Sequence, residues 1–136
     1  MADVTVKRLD EFEAIFHGGF YRVRAGLGVT SFGLAVMEFP PNYGDYPEHD
    51  QAHDSQEEVY TALKGSATLT AGGEEHRLEP GVWVRVGPAE KRKIITGDEP
   101  ARVLAIGGAQ GGPYQPPEFT EQGAPDPLGK HGHSDG

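Results

Sequence analysis

An all-β fold built from short antiparallel strands is the fold class that this sequence predicts. The chain has 136 residues, of which 20 are glycine and 11 are proline, so turns should be frequent and long helices rare. Most of the chain consists of short runs that are apolar or alternate with period two, separated by turn-forming residues. Many short strands with almost no helix between them are typical of a β-barrel or a β-sandwich.

A helical pattern occurs only near the N-terminus. Residues 9–16 read LDEFEAIF, with Asp10 as a candidate N-cap and the apolar Phe12 and Ile15 three positions apart. Gly18 and Gly19 follow and would end such a helix. We therefore expect a short helix or turn before the first strand.

Strand candidates follow from residue 20 onward. They are FYRVRAGL, FGLAVMEF, EVYTALKG, ATLTAGGEEHRL, VWVRV, RKIIT and ARVLAIGG. The pair Gly72 and Gly73 in the fourth of these runs suits a tight hairpin turn, which needs positive φ angles.

The end of the chain differs in composition from the rest. Residues 113–136 are rich in glycine and proline and contain no strand pattern. We therefore assign residues 1–112 to a single barrel domain and residues 113–136 to a flexible C-terminal tail.

Composition excludes several classes of function. The formal net charge of −9 disfavours nucleic acid as a partner. The absence of cysteine excludes disulfides, thiolate metal sites and cysteine nucleophiles. No apolar run has the length of a signal peptide or a membrane span. We expect a cytoplasmic protein without a membrane partner.

Two glycine-spaced blocks carry a family resemblance. They are residues 44–65, GDYPEHDQAHDSQEEVYTALKG, and residues 81–96, GVWVRVGPAEKRKIIT. Together they resemble the two signature blocks of the cupin family of small β-barrels. The resemblance implies an antiparallel, jelly-roll-like barrel, a site inside the barrel and a homodimer.

The resemblance also implies a metal site, from which this sequence departs. Metal-binding cupins hold Fe, Mn, Ni or Zn with two histidines and a glutamate from the first block and a histidine from the second. Here the first three positions are Gln51, His53 and Glu58, and the last is Arg92. Moving the second block by one residue places Lys93 there instead. Since a cation replaces a ligand in either register, we favour no metal. The alternative ligand set is His49, His53 and Glu58.

Strand alternation predicts which side chains face the barrel interior. Tyr60 shares the parity of Glu58, and it is either a core phenol or a substrate contact. Glu57 points the other way, and Lys91 and Lys93 alternate with Arg92. A buried carboxylate needs a partner, so we expect the Arg92 guanidinium to pair with Glu58 where the family's metal would lie.

Three functions remain open at this stage. The first is binding of a small, anionic metabolite by Gln51, Tyr60 and Arg92, with His53 and Glu58 as candidate acid–base groups. The second is a metal-dependent dioxygenase, isomerase, lyase or decarboxylase that uses His49, His53 and Glu58. The third is a sensor or interaction module without chemistry.

Overall fold

The N-terminal part contains one turn, two very short strands and one short helix. The computed structural model describes residues 2–52 and 55–128. A 3₁₀ turn at Leu9–Glu11 is followed by strands β1, Ala14–Ile15, and β2, Phe20–Tyr21, and by helix α1, Val23–Leu27. The expected short helix or turn is therefore present, although it covers one turn instead of residues 9–16.

The strand expected over residues 20–27 is wrong after its first two residues. Instead, helix α1 forms and ends at Gly28, whose φ of 83° is the left-handed conformation of a helix C-cap. Two arginines that alternate in the sequence, Arg22 and Arg24, are both buried here. Arg22 and Arg24 contact residues outside positions 20–27, and these contacts decide the local structure against the strand that the period-two pattern predicts.

Seven longer strands form the body of the fold. They are β3 Gly33–Phe39, β4 Gln56–Gly65, β5 Ala67–Ala71, β6 Glu74–Leu78, β7 Trp83–Val86, β8 Arg92–Ile95 and β9 Ala101–Ala109. One sheet has the order β1-β2-β3-β9-β4-β7, the other has the order β6-β5-β8, and the pairs are antiparallel. The predicted all-β antiparallel fold is confirmed.

The core lies between the inward faces of the two sheets. Its buried residues come from all seven of these strands and include Phe39, Tyr60, Leu69, Leu78, Val86, Ile94 and Val103. Strand β4 runs between β9 and β7, with Glu58 opposite Val86 on β7 and Gly107 on β9. Strand β8 pairs with β5, which places Arg92 opposite Ala71. This register brings the two signature blocks to the same region of the interior.

Glycines allow two of the turns that set this register. Gly72 and Gly73 have φ angles of 61° and 81° and form the expected hairpin turn between β5 and β6. At Gly65, the last residue of the first block, a Cβ atom would lie 1.9 Å from the carbonyl oxygen of Pro100. Only glycine fits this position, where β4 ends against the start of β9.

The described part of the C-terminal segment packs against the N-terminal part. Arg22, 2% exposed, donates from Nε to the carbonyl oxygen of Phe119 and from Nη2 to that of Ala124, each at 2.8 Å, and it also pairs with Glu13. The Phe119 ring lies edge-on against those of Phe16 and Phe20. Residues 129–136 lie outside the described residues, and the domain boundary at residue 112 stays a prediction.

Among the described residues, no helix has the length and apolar character that crossing a membrane would require.

We expect Arg22→Met to lower the free energy of unfolding by about 2–3 kcal/mol, because it leaves two carbonyl oxygens and Glu13 without their charged donor. Arg8→Met is the control, since Arg8 contacts Asp10 on the exposed surface. Chemical denaturation of both variants measures the difference. Equal effects would show that Arg22 does not hold the C-terminal segment.

Candidate functional site

Strand β4 carries two polar side chains into the barrel. Glu58 and Tyr60 are two residues apart and therefore point to the same face. Tyr60 is 1% exposed and belongs to the core, whereas the Glu58 side chain keeps 16% of its surface accessible. The Tyr60 hydroxyl donates a hydrogen bond to Glu58 Oε1 over 2.6 Å. Tyr60 is thus a buried phenol that helps to hold the carboxylate.

Arg92 enters the same interior from β8 and is fully buried. Its Nη1 donates to Glu58 Oε1 at 2.5 Å, so the expected ion pair is present. Its Nη2 donates to the carbonyl oxygens of Gly87, at 2.6 Å, and Glu90, at 2.9 Å. The guanidinium therefore joins the β4 carboxylate to the loop between β7 and β8.

One donor of Arg92 stays unused. Its Nε is buried and has no hydrogen-bond partner among the described residues. On either side of Arg92, Lys91 is exposed and Lys93 is half-buried, as alternation along β8 predicts. Arg92 is therefore the cation that this strand sends into the barrel.

A loop before β4 adds Tyr46 and His49 to the site. The backbone of His49 pairs with that of Arg92 through two hydrogen bonds of 2.8 and 3.1 Å, which extends the β8 edge. The Tyr46 hydroxyl lies 3.0 Å from His49 Nε2 and also hydrogen-bonds with Tyr60. A chain of hydrogen bonds thus runs from His49 through Tyr46 and Tyr60 to Glu58.

Tyr46 was missed by the sequence analysis. It lies in the stretch PPNYGDYP, whose prolines, glycine and asparagine predict only turn structure. The sequence signal for Tyr46 is its position three residues before His49. This spacing places an aromatic hydroxyl near a histidine in the sequence, but it does not show where either side chain points.

Burial controls the protonation of both tyrosines. It is the main reason why the pKa of Tyr46 and the pKa of Tyr60 lie above their ordinary value, and the nearby negative charge of Glu58 raises both further. Both hydroxyl groups therefore stay neutral over the physiological pH range and act as hydrogen-bond donors.

The remaining two predicted site residues lie in the loop that leads into β4. Gln51 is half-buried, its backbone N–H donates to the Pro88 carbonyl oxygen at 2.8 Å, and its side chain contacts Gln56 at 3.5 Å. His53 lies outside the described residues, so its expected role stays a prediction. Gln51 thus ties this loop to the loop that Arg92 holds.

The described residues do not fit a metal ion at Glu58. No three histidine or carboxylate side chains in residues 2–52 and 55–128 are grouped to hold one metal. The Glu58 carboxylate is bound to a guanidinium, which has no lone pair to offer and would repel a dication. His49 Nε2 is directed at the Tyr46 hydroxyl. Arg92 thus occupies the place that the family resemblance gives to a metal ligand.

We expect Arg92→Met to lower the free energy of unfolding by about 3–5 kcal/mol at neutral pH, because Glu58 would keep a buried charge without its partner. Lys91→Met removes the same charge from the exposed face and should change stability by less than about 0.5 kcal/mol. Adding Glu58→Met to Arg92→Met should recover most of the loss, since no charge is then left unpaired. Denaturation curves of the three variants test this, and equal effects of Arg92→Met and Lys91→Met would contradict it.

Stability should also fall in alkali. Since folding raises the pKa of Tyr46 and Tyr60, the stabilisation is complete below the unfolded-state pKa of about 10 and is lost as the pH rises above it. Replacing both tyrosines with phenylalanine should make the free energy of unfolding less dependent on pH above that value. An unchanged alkaline slope in the double variant would refute this assignment.

Solved structures share the fold at low sequence identity. A cupin protein from Bacteroides fragilis is 23% identical with a TM-score of 0.68, and the match covers 86% of this chain and 93% of that one. A polyketide cyclase from Streptomyces resistomycificus is 20% identical with a TM-score of 0.62, covering 78% and 81%. A sugar phosphate isomerase of the cupin superfamily from Silicibacter pomeroyi is 19% identical with a TM-score of 0.61, covering 78% and 76%.

The sequence itself matches a family description. No curated protein matches the chain. The family model for the cupin domain matches residues 35–107, which is more than half of the chain and includes both signature blocks. Together with the barrel formed by the two sheets, this match shows that the chain belongs to the cupin family.

Proposed function

We propose that this protein binds a small, anionic metabolite inside the barrel and acts on it by acid–base chemistry in which Arg92 takes the place of a metal ion. One observation carries this proposal: the guanidinium is fully buried, yet its Nε has no acceptor among the described residues. A buried donor without an acceptor costs about 1–3 kcal/mol. A carboxylate or phosphate oxygen of a ligand would recover that energy.

The charges of the site also suit an anion that carries a reactive carbonyl group. Arg92 neutralises Glu58, so the entering anion meets a guanidinium–carboxylate pair instead of a lone carboxylate. In this proposal the Glu58 carboxylate, which is partly accessible, accepts a proton from a ligand carbon. Tyr46, a neutral phenol beside His49, would turn its one proton from Tyr60 to a ligand carbonyl oxygen and so act as the matching donor.

Such a pair of groups would move a proton within the ligand and leave its mass and oxidation state unchanged, which describes an isomerisation. Among the similar structures is a sugar phosphate isomerase, whose ligand class is anionic. That likeness concerns the fold, and the proposal depends on Arg92, Glu58 and Tyr46. His53 and Gln51 are further ligand contacts in this proposal.

We expect Glu58→Gln to strengthen anion binding about tenfold or more, because the amide no longer neutralises the guanidinium. Arg92→Met should abolish binding, and Lys93→Met, on the other face of β8, should leave it unchanged. Calorimetric titration with acetate, pyruvate, citrate and inorganic phosphate measures this. If Arg92→Met and Lys93→Met weaken binding equally, the anion is held at the surface and the proposal fails.

Turnover separates an enzyme from a sensor. When the protein is incubated in ²H₂O with an anion that it binds, the hydrogen next to the carbonyl group of that anion should exchange for deuterium. Tyr46→Phe should slow this exchange while binding persists. Tight binding without exchange would favour the sensor. Activity that appears only with added Fe, Mn, Ni or Zn would favour the metal-dependent alternative.

A further inference from the structure

Toward β9 and β3, the inner face of the six-stranded sheet next to Glu58 carries only small residues. Gly107 on β9 lies opposite Glu58, and Gly33 on β3 lies opposite Gly107. The next inward row of these two strands holds Ala35 and Ala105. Because neighbouring strands are about 4.8 Å apart, these four small residues extend about 10 Å from Glu58 across the sheet. We call them the floor.

The ring of Tyr114 lies on this floor. A Cβ atom on Gly33 would lie 2.7 Å from the Tyr114 hydroxyl oxygen and 3.2 and 3.3 Å from ring atoms Cζ and Cε1. Gly33 is buried, and Tyr114 is half-buried. Side chains of directly opposed residues point to the same face of a sheet, so the phenol lies on the face that carries Glu58. Only glycine at position 33 leaves the ring this place.

The segment that carries Tyr114 is anchored on both sides. Before it, the Gln110 N–H donates to the carbonyl oxygen of Ser55 at 3.1 Å, directly before β4. After it, the carbonyl oxygen of Phe119 accepts from Arg22 Nε at 2.8 Å. Residues 111–118 therefore run between two fixed points, and we call them the strap.

Gln56 connects the strap with the loop that leads into β4. Its buried side chain donates from Nε2 to the carbonyl oxygen of Gln115 at 3.4 Å, and its Oε1 accepts from Gln51 Nε2 at 3.5 Å. The same Oε1 lies 3.3 Å from the place of a Cβ atom on Gly107, so this amide borders the floor. The position of the strap is thus fixed relative to Gln51, a predicted ligand contact.

We propose that Tyr114 determines the size of the anion that the barrel accepts. This inference rests on the proposed anion site at Arg92. The anion binds the guanidinium and extends from Glu58 over Gly107, and the Tyr114 ring on Gly33 ends the space that is open to it. Short-chain carboxylates therefore fit, whereas carboxylates with a bulky apolar substituent are excluded while the ring lies on the floor.

Two substitutions remove the ring from the floor by different routes. Tyr114→Ala deletes the ring. Gly33→Ala displaces it, because the new methyl group would overlap the hydroxyl at the movable end of the side chain. Gly33 is not among the residues with positive φ, so alanine adds no backbone strain there. Gly108→Ala is the matched control, since a Cβ atom there would meet no atom within 4 Å.

Calorimetric titration with pyruvate and phenylpyruvate measures this selection by size. The wild-type protein and Gly108→Ala should bind pyruvate and discriminate against phenylpyruvate. Tyr114→Ala and Gly33→Ala should each bind phenylpyruvate about tenfold or more tightly than the wild type, because the freed floor buries its phenyl group. Their affinity for pyruvate should change by less than about threefold. Adding Gly33→Ala to Tyr114→Ala should give no further gain, since both act through the same ring.

Arg92→Met distinguishes failure of this inference from failure of the proposed function. If Arg92→Met abolishes binding but Tyr114→Ala and Gly33→Ala leave the preference between the two anions unchanged, the inference is overturned and the anion site stands. If Arg92→Met binds normally while the other two variants gain phenylpyruvate, the anion is anchored elsewhere and Tyr114 still limits its size. Absence of binding in the wild type and in every variant overturns both.

Discussion

The ion pair between Arg92 and Glu58 is the interaction on which the barrel interior depends. A fully buried guanidinium is stabilised there because its Nη1 meets a carboxylate and its Nη2 meets two backbone carbonyls. Those carbonyls belong to the loop between β7 and β8, while the carboxylate belongs to β4. The pair therefore holds a strand of one sheet, a strand of the other sheet and the loop between them in a single arrangement.

This arrangement also determines the chemistry of the site. In the cupins that hold a metal, a dication would organise the ligands, whereas here a guanidinium with a fixed, planar set of donors does so. Glu58 is consequently neutralised and oriented, with Tyr60 as a second donor to the same oxygen. Tyr46 and His49 extend the network toward the loop before β4.

A second buried arginine stabilises the contact between the N-terminal part and the C-terminal segment by the same means. Arg22 pairs with Glu13 and donates to two carbonyl oxygens of the C-terminal segment. Only 36% of the residues are hydrophobic, so segments without a strand pattern have few apolar contacts to hold them. The hydrogen bonds and the ion pair of Arg22 therefore contribute to holding such a segment. Both arginines thus join parts of the chain that are distant in sequence.

The amino-acid sequence by itself determined the strand pattern, the turn at Gly72 and Gly73, and the opposite directions of Arg92 and its neighbouring lysines. Period-two alternation is a local property of the backbone, so it can be deduced from the order of residues alone. Only the tertiary structure decided that residues 23–27 form a helix and that Arg22 and Arg24 are buried. It likewise decided that Tyr46 meets His49 and Tyr60. These contacts join loops of irregular backbone to distant strands, and no period in the sequence encodes where such loops place their side chains.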